Sequence, residues 1–194
     1  MDAANITLDY MDPSDLLPHE DVLRRKMNNT LIAVKETRSV IPILIDEKSL
    51  LVIDGHHRRE AMMQLGFKRI PVYAVDYQDS SITVDVWYRK VELNPVSRLF
   101  LNSLKSEGKI CFSISEFKIC SESVYSAYWK LQWLEQKLKL FGSAMERNPS
   151  EGFSPPHLDK DVILDIAKKG LRLPPKTSRH TYDFIIPKER VKLQ

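Results

Sequence analysis

The chain of 194 residues is long enough for one domain of about 150 residues with an appendage, and for a real core. Hydrophobic residues make up 43% and charged residues 28%, which excludes wholesale disorder and collagen-like or membrane classes; no run reaches the ~18 apolar residues of a transmembrane helix. With 29 basic and 26 acidic residues the net charge is +3, an excess that neither requires nor forbids nucleic acid.

The start, Met1-Asp2-Ala3-Ala4-Asn5, is acidic where a secretory signal is basic and then apolar, so the chain reads as cytoplasmic. Residues 6–10 alternate at period two and predict a short strand, followed by turn chemistry at 11–15. From 20 to about 36, Leu23, Met27, Leu31 and Val34 recur at helical spacing. The β-branched runs 41–45 and 50–53 predict a hairpin, and residues 54–66 leave a strand and open a helix that Gly66 stops. Strands are predicted again at 70–77 and 82–86. Residues 121–145 predict one long amphipathic helix, with Val124, Tyr128, Leu131, Leu138 and Met145 on one side. A loop at 148–156 and a short helix at 159–168 precede the basic segment 173–180. Cys111 and Cys120 are the only cysteines and form no Cys-x-x-Cys, which argues against a thiolate zinc site and predicts two buried free thiols.

Residues 53–58 carry the most chemistry. A strand ending in Asp54-Gly55 and opening onto a helix directs unpaired backbone N–H groups outward at the positive end of the helix dipole, an anion site suited to phosphate. Gly55 permits close backbone approach, Arg58 can clamp an oxyanion bidentately, and Asp54 stands where a carboxylate can hold magnesium against phosphate oxygens. His56 and His57 diverge by about 100° on a helix, which disfavours joint ligation of one metal and leaves them as hydrogen-bond donors to phosphate. By itself the segment is equally readable as a helix with a polar first turn.

Asp54-Gly55-His56-His57-Arg58, the helix after it, Leu65-Gly66 and the strand Ile70-Pro71-Val72 resemble the Gly-x-x-Arg phosphate motif of the ParB/sulfiredoxin fold. Sulfiredoxins carry a catalytic cysteine after that glycine, where this chain has His56, so their chemistry is not implied. Within the superfamily the Asp-Gly-His-His-Arg form is similar to the free L-serine kinases, which transfer a nucleotide's terminal phosphoryl group to serine. Leu16-Leu17-Pro18-His19-Glu20 resembles the kinases' N-terminal segment with its catalytic glutamate, and residues 174–180 resemble their substrate motif Pro-Pro-Lys-Thr-x-Arg-His. The likeness covers 14–77 and 170–180 well and 95–160 poorly.

The resemblance implies an α+β fold: a ParB/sulfiredoxin-like nucleotide-binding unit over 1–92, and a mainly helical portion over 93–194 that returns to the active site. It implies a kinase making O-phospho-L-serine from free L-serine with ADP or ATP and Mg2+. Glu20 is then the base that takes the serine proton, although alone it reads as a solvated glutamate favourable to a helix dipole. Asp54 is the catalytic and magnesium-holding carboxylate, and Gly55, His56, His57 and Arg58 cradle the nucleotide phosphates. The substrate falls to Thr177 and His180, with Lys176, Ser178 and Arg179 nearby, and to Trp87, which by pattern alone reads as core. The partners implied are free serine and an adenine nucleotide, with neither nucleic acid nor membrane. The alternative is a ParB-like, nucleotide-dependent DNA-binding regulator with a helix-turn-helix at 113–138, whose second helix carries Tyr125, Tyr128, Trp129 and Trp133 in place of a basic reading face.

Overall fold

The computed structural model describes residues 6–104 and 106–193; the N-terminal residues behind the cytoplasmic reading lie outside them. The elements run β1 (Thr7–Met11), α1 (Arg24–Thr37), β2 (Ser39–Val40), β3 (Ile43–Asp46), β4 (Val52–Asp54), α2 (His56–Gln64), β5 (Ile70–Val75) and β6 (Ile82–Val86). They continue with β7 (Tyr88–Val91), α3 (Pro95–Ser103), β8 (Ile110–Ile114), β9 (Phe117–Ser121) and α4 (Val124–Leu140). Last come β10 (Met145–Asn148), α5 (Lys160–Lys168), β11 (Ser178–Tyr182) and β12 (Val191–Lys192). The fold is α+β, as the sequence implies.

Two compact units result. The first takes the chain up to Thr83, Lys160–Pro175 and the chain from His180 onward; the second takes Val84–Asp159 and Lys176–Arg179. The division therefore falls before the anticipated boundary at 92, because β7 pairs along its length with β10 of the second unit.

In the first unit a four-stranded sheet runs β1-β5-β3-β4, with β5 antiparallel to β1 and parallel to β3. β3 is buried at all four positions, which is why Ile43-Leu44-Ile45 is an apolar run without alternation; its last residue, Asp46, is buried and hydrogen-bonded. Leu16, Val34, Ile43, Ile45, Val52, Met62, Ile70 and Val72 form the core, each such side chain contributing about 1.5–3 kcal/mol on burial. α1 starts at Arg24, later than its periodicity predicts. Residues 19–21 are extended instead, because their backbone groups pair with Leu173: Leu173 N–H donates to His19 O and Asp21 N–H to Leu173 O, both at 2.8 Å. Glu20 thus sits on a paired backbone segment and not at a helix start.

The second unit departs most from expectation. α4 ends at Leu140 and Met145 opens β10, so the long helix is shorter; Ser123 caps its start in a capping box with Ser126. Residues 110–121 form the β8–β9 hairpin, which leaves no first helix for a helix-turn-helix. The hairpin register sets Cys111 directly opposite Cys120 with Cα atoms 4.1 Å apart, and the two form a disulfide, correcting the expectation of free thiols. Among the described residues no helix is long and apolar enough to cross a membrane.

Candidate active site

In the first unit β4 runs through Gly55 directly into α2, the strand-to-helix junction that the sequence suggests as a phosphate site. Gly55 is the N-cap residue of α2 at φ 110°, and a Cβ there would meet Arg58 Nε and Ile43 Cγ1, each at 3.1 Å. Only glycine combines that backbone with that space. No side chain caps α2, so the N–H groups of its first turn are not consumed by a cap. Arg58 is packed beneath the turn: its guanidinium donates to Ile41 O at 3.1 Å, to Pro42 O at 2.7 Å and to Asp54 at 2.5 Å. It thereby fixes the junction and the Asp54 carboxylate, which is 61% exposed. Among the described residues no group of three or more His, Cys, Asp or Glu side chains can hold a metal ion. A single exposed carboxylate such as Asp54 nonetheless fits magnesium, which binds through one or two carboxylates plus substrate phosphate oxygens.

The adjacent histidines diverge as helical geometry requires. His57 Nε2 accepts from the N–H of Leu23, the N-cap residue of α1, at 3.0 Å, and His56 Nε2 accepts from His19 N–H at 3.3 Å. His19 is fully buried, with Nδ1 2.9 Å from Val52 O. Its ring lies 4.5 Å from the His56 ring and 5.5 Å from that of His180, centroid to centroid. Burial pushes the His56 imidazole down to about 3, with His180 and His57 adding to the effect. Burial likewise pushes His180 down to about 4, with Asp54 opposing and Lys160 reinforcing, and holds His19 well below its ordinary value. The cluster is therefore neutral near pH 7. Tyr77 Oη lies 2.9 Å from His180 Nε2, and the Tyr182 phenol is pushed up by burial and by the Asp54 charge.

Four of the five histidines thus gather around one helix start, together with Glu20 next to His19 in the chain. Sequence reasoning missed His19, Tyr77 and Tyr182. The available signal for His19 was its place in Leu16-Leu17-Pro18-His19-Glu20; nothing in the sequence marks the tyrosines. Arg59 was also passed over: it is buried, its Nε has no hydrogen-bond partner, and Glu60 is 3.7 Å away.

The second unit carries the remaining candidates. Trp87 Nε1–H donates to Ser178 O at 3.2 Å, and the Arg179 guanidinium lies over the Trp87 ring at 5.7 Å while pairing with Asp85 at 3.3 Å. Thr177 is buried, and Lys176 adopts φ 57°. Trp87 is only partly buried, unlike an ordinary core tryptophan. Beneath it Arg89 donates to the carbonyls of Trp87 and Tyr88 and lies 3.9 Å from Glu135, which also pairs with Arg147 at 3.2 Å.

No family model matches the chain. A ParB-like protein of Sulfolobus acidocaldarius is 36% identical over 196 residues, which cover 98% of each chain. The chain belongs to this family of ParB-like proteins. An ATP-dependent L-serine kinase of Staphylothermus marinus is 24% identical over 90% of this chain and 85% of its own. The ADP-dependent L-serine kinase SerK of Thermococcus kodakarensis is 25% identical over 95% and 91%. Among solved structures, a free serine kinase variant in complex with AMP superposes with a TM-score of 0.77 at 16% identity, over 100% of this chain and 95% of that one. The fold is shared with that enzyme.

Proposed function

We propose that the protein is a free L-serine kinase, transferring the terminal phosphoryl group of ADP or ATP to the serine hydroxyl and giving O-phospho-L-serine. The observation that carries this reading is the uncapped α2 start behind Gly55, with exposed Asp54 tied to Arg58 and neutral histidines around it. Full-length likeness to kinases named for this reaction supports it.

In this reading Glu20 accepts the hydroxyl proton as the serine oxygen bonds to phosphorus and the phosphoanhydride bond breaks. The nucleotide leaves with one phosphate fewer. The transition state is loose and spreads charge over the equatorial oxygens, so positioned donors do most of the work. Those donors are the α2 N–H groups with His56, His57 and Arg58. Asp54 is the residue that would hold magnesium, which neutralises phosphate charge when bound. Lys176, Thr177, Ser178, Arg179, His180 and Trp87 are assigned to serine, cationic and hydroxyl groups suiting its carboxylate. The reaction belongs in the cytoplasm, where nucleotide and free amino acid are both at hand.

The test is incubation of the purified protein with L-serine, magnesium and each nucleotide, followed by phosphorus NMR. O-phosphoserine is the expected product; its absence with both nucleotides overturns the reading.

A further inference from the structure

The mechanism above leaves the buried phenol of Tyr77 unused. Tyr77 is wholly buried, just beyond the end of β5, and its backbone is anchored by N–H donation to Asp46 Oδ1 at 3.0 Å. Asp46 is itself buried and held by Ser49 N–H at 2.8 Å. The Tyr77 ring is therefore a fixed post, further bounded by the Lys160 ammonium 5.6 Å above it, which donates to Asp79 O at 2.7 Å. From that post the hydroxyl reaches His180 Nε2 at 2.9 Å.

A neutral imidazole has one donor and one acceptor nitrogen, and the bond made by one nitrogen sets the role of the other. A phenol is a stronger hydrogen-bond donor than an imidazole N–H, and an imidazole nitrogen is a stronger acceptor than a phenol oxygen. With the O–H as donor to Nε2, the proton of His180 resides on Nδ1. We propose that Tyr77 is a positioning residue which locks His180 as the neutral Nδ1–H tautomer, so that His180 meets an anionic substrate group as a hydrogen-bond donor and not as a proton acceptor. This deepens the serine kinase reading and rests on it for the identity of the anion, the serine carboxylate. It also separates His180 from Glu20, leaving proton removal to the glutamate.

The experiment is Tyr77→Phe, which removes the hydroxyl and keeps the ring. In the wild type, long-range 1H–15N spectra should show His180 protonated at Nδ1; in Tyr77→Phe they should show a tautomer mixture. The variant's KM for L-serine should rise roughly tenfold, the scale of one hydrogen bond, with nucleotide binding unchanged. Tyr77→Phe should add nothing in a His180→Ala background, since it acts through that ring. A wild-type His180 protonated at Nε2, an unchanged tautomer in Tyr77→Phe, or additive losses in the double variant would each overturn the proposal. Failure of the wild type to make O-phosphoserine would instead sink the kinase reading, while the tautomer spectra would still decide this one.

Discussion

The two units arrange their polar side chains differently. The first gathers neutral groups, the imidazoles of His19, His56 and His180 with the Tyr77 phenol, and pairs them with a backbone amide, a carbonyl and one another, alongside the buried ions Asp46 and Arg59. The second links its charges in one cluster: buried Arg89 and half-buried Glu135 and Arg147 form a triad joining β7, α4 and β10. Burying a neutral polar group costs little once it is hydrogen-bonded, whereas a buried ion keeps a desolvation penalty that its partner only partly offsets. The difference teaches that the imidazole cluster of the first unit adds no charge of its own near pH 7, so the field at the α2 start is set by the ionised groups around it, Asp54, Arg58 and the buried Arg59. The charged triad in the second unit serves position, since Arg89 holds the backbone carbonyl of Trp87.

The largest effect should come from Glu20→Gln, which removes the proposed base while preserving shape. Serine phosphorylation should fall by a factor of about 100 or more, with nucleotide affinity by calorimetry within about twofold. Full activity would remove Glu20 from its role. Next, Glu135→Ala leaves two arginines without their shared carboxylate and should lower stability by roughly 2–4 kcal/mol, read as a shifted denaturant midpoint. An unchanged midpoint would mean the triad is not what holds the second unit together. Gly55→Ala forces a side chain onto a φ of 110° against Arg58 and should cost about 1–3 kcal/mol while weakening nucleotide binding. Equal binding by both forms would show that phosphate does not approach this backbone.

The smallest effect concerns pH and sharpens the contrast directly. The folded-state values of His56, about 3, and His180, about 4, lie below the ordinary histidine value of 6.5. The unfolded chain therefore binds protons first on acidification, and these residues' contribution, complete above about pH 6.5, is progressively lost as pH falls toward those folded values. Denaturation midpoints measured between pH 7 and 4 should decline, and His56→Gln should flatten the decline. A slope identical to the wild type would sink the idea that burial of His56 drives it.

Where local chemistry decides structure, the amino-acid sequence was enough. Gly55 at a strand-to-helix junction, Gly66 and Gly170 past helix ends, and the apolar runs of β3 to β5 foretold the uncapped turn at the α2 start and the core around it, because those features depend on φ, dipoles and burial within a few residues. Tertiary pairing decided the rest. Leu173 drew residues 19–21 out of the helix that their periodicity suggested, and β7 claimed Met145 as the start of β10. Hairpin register turned Cys111 and Cys120 into a disulfide, while Tyr77 met His180 across 103 residues of sequence. Such contacts join residues far apart in the chain, and no local propensity encodes which distant backbone or side chain satisfies a given donor.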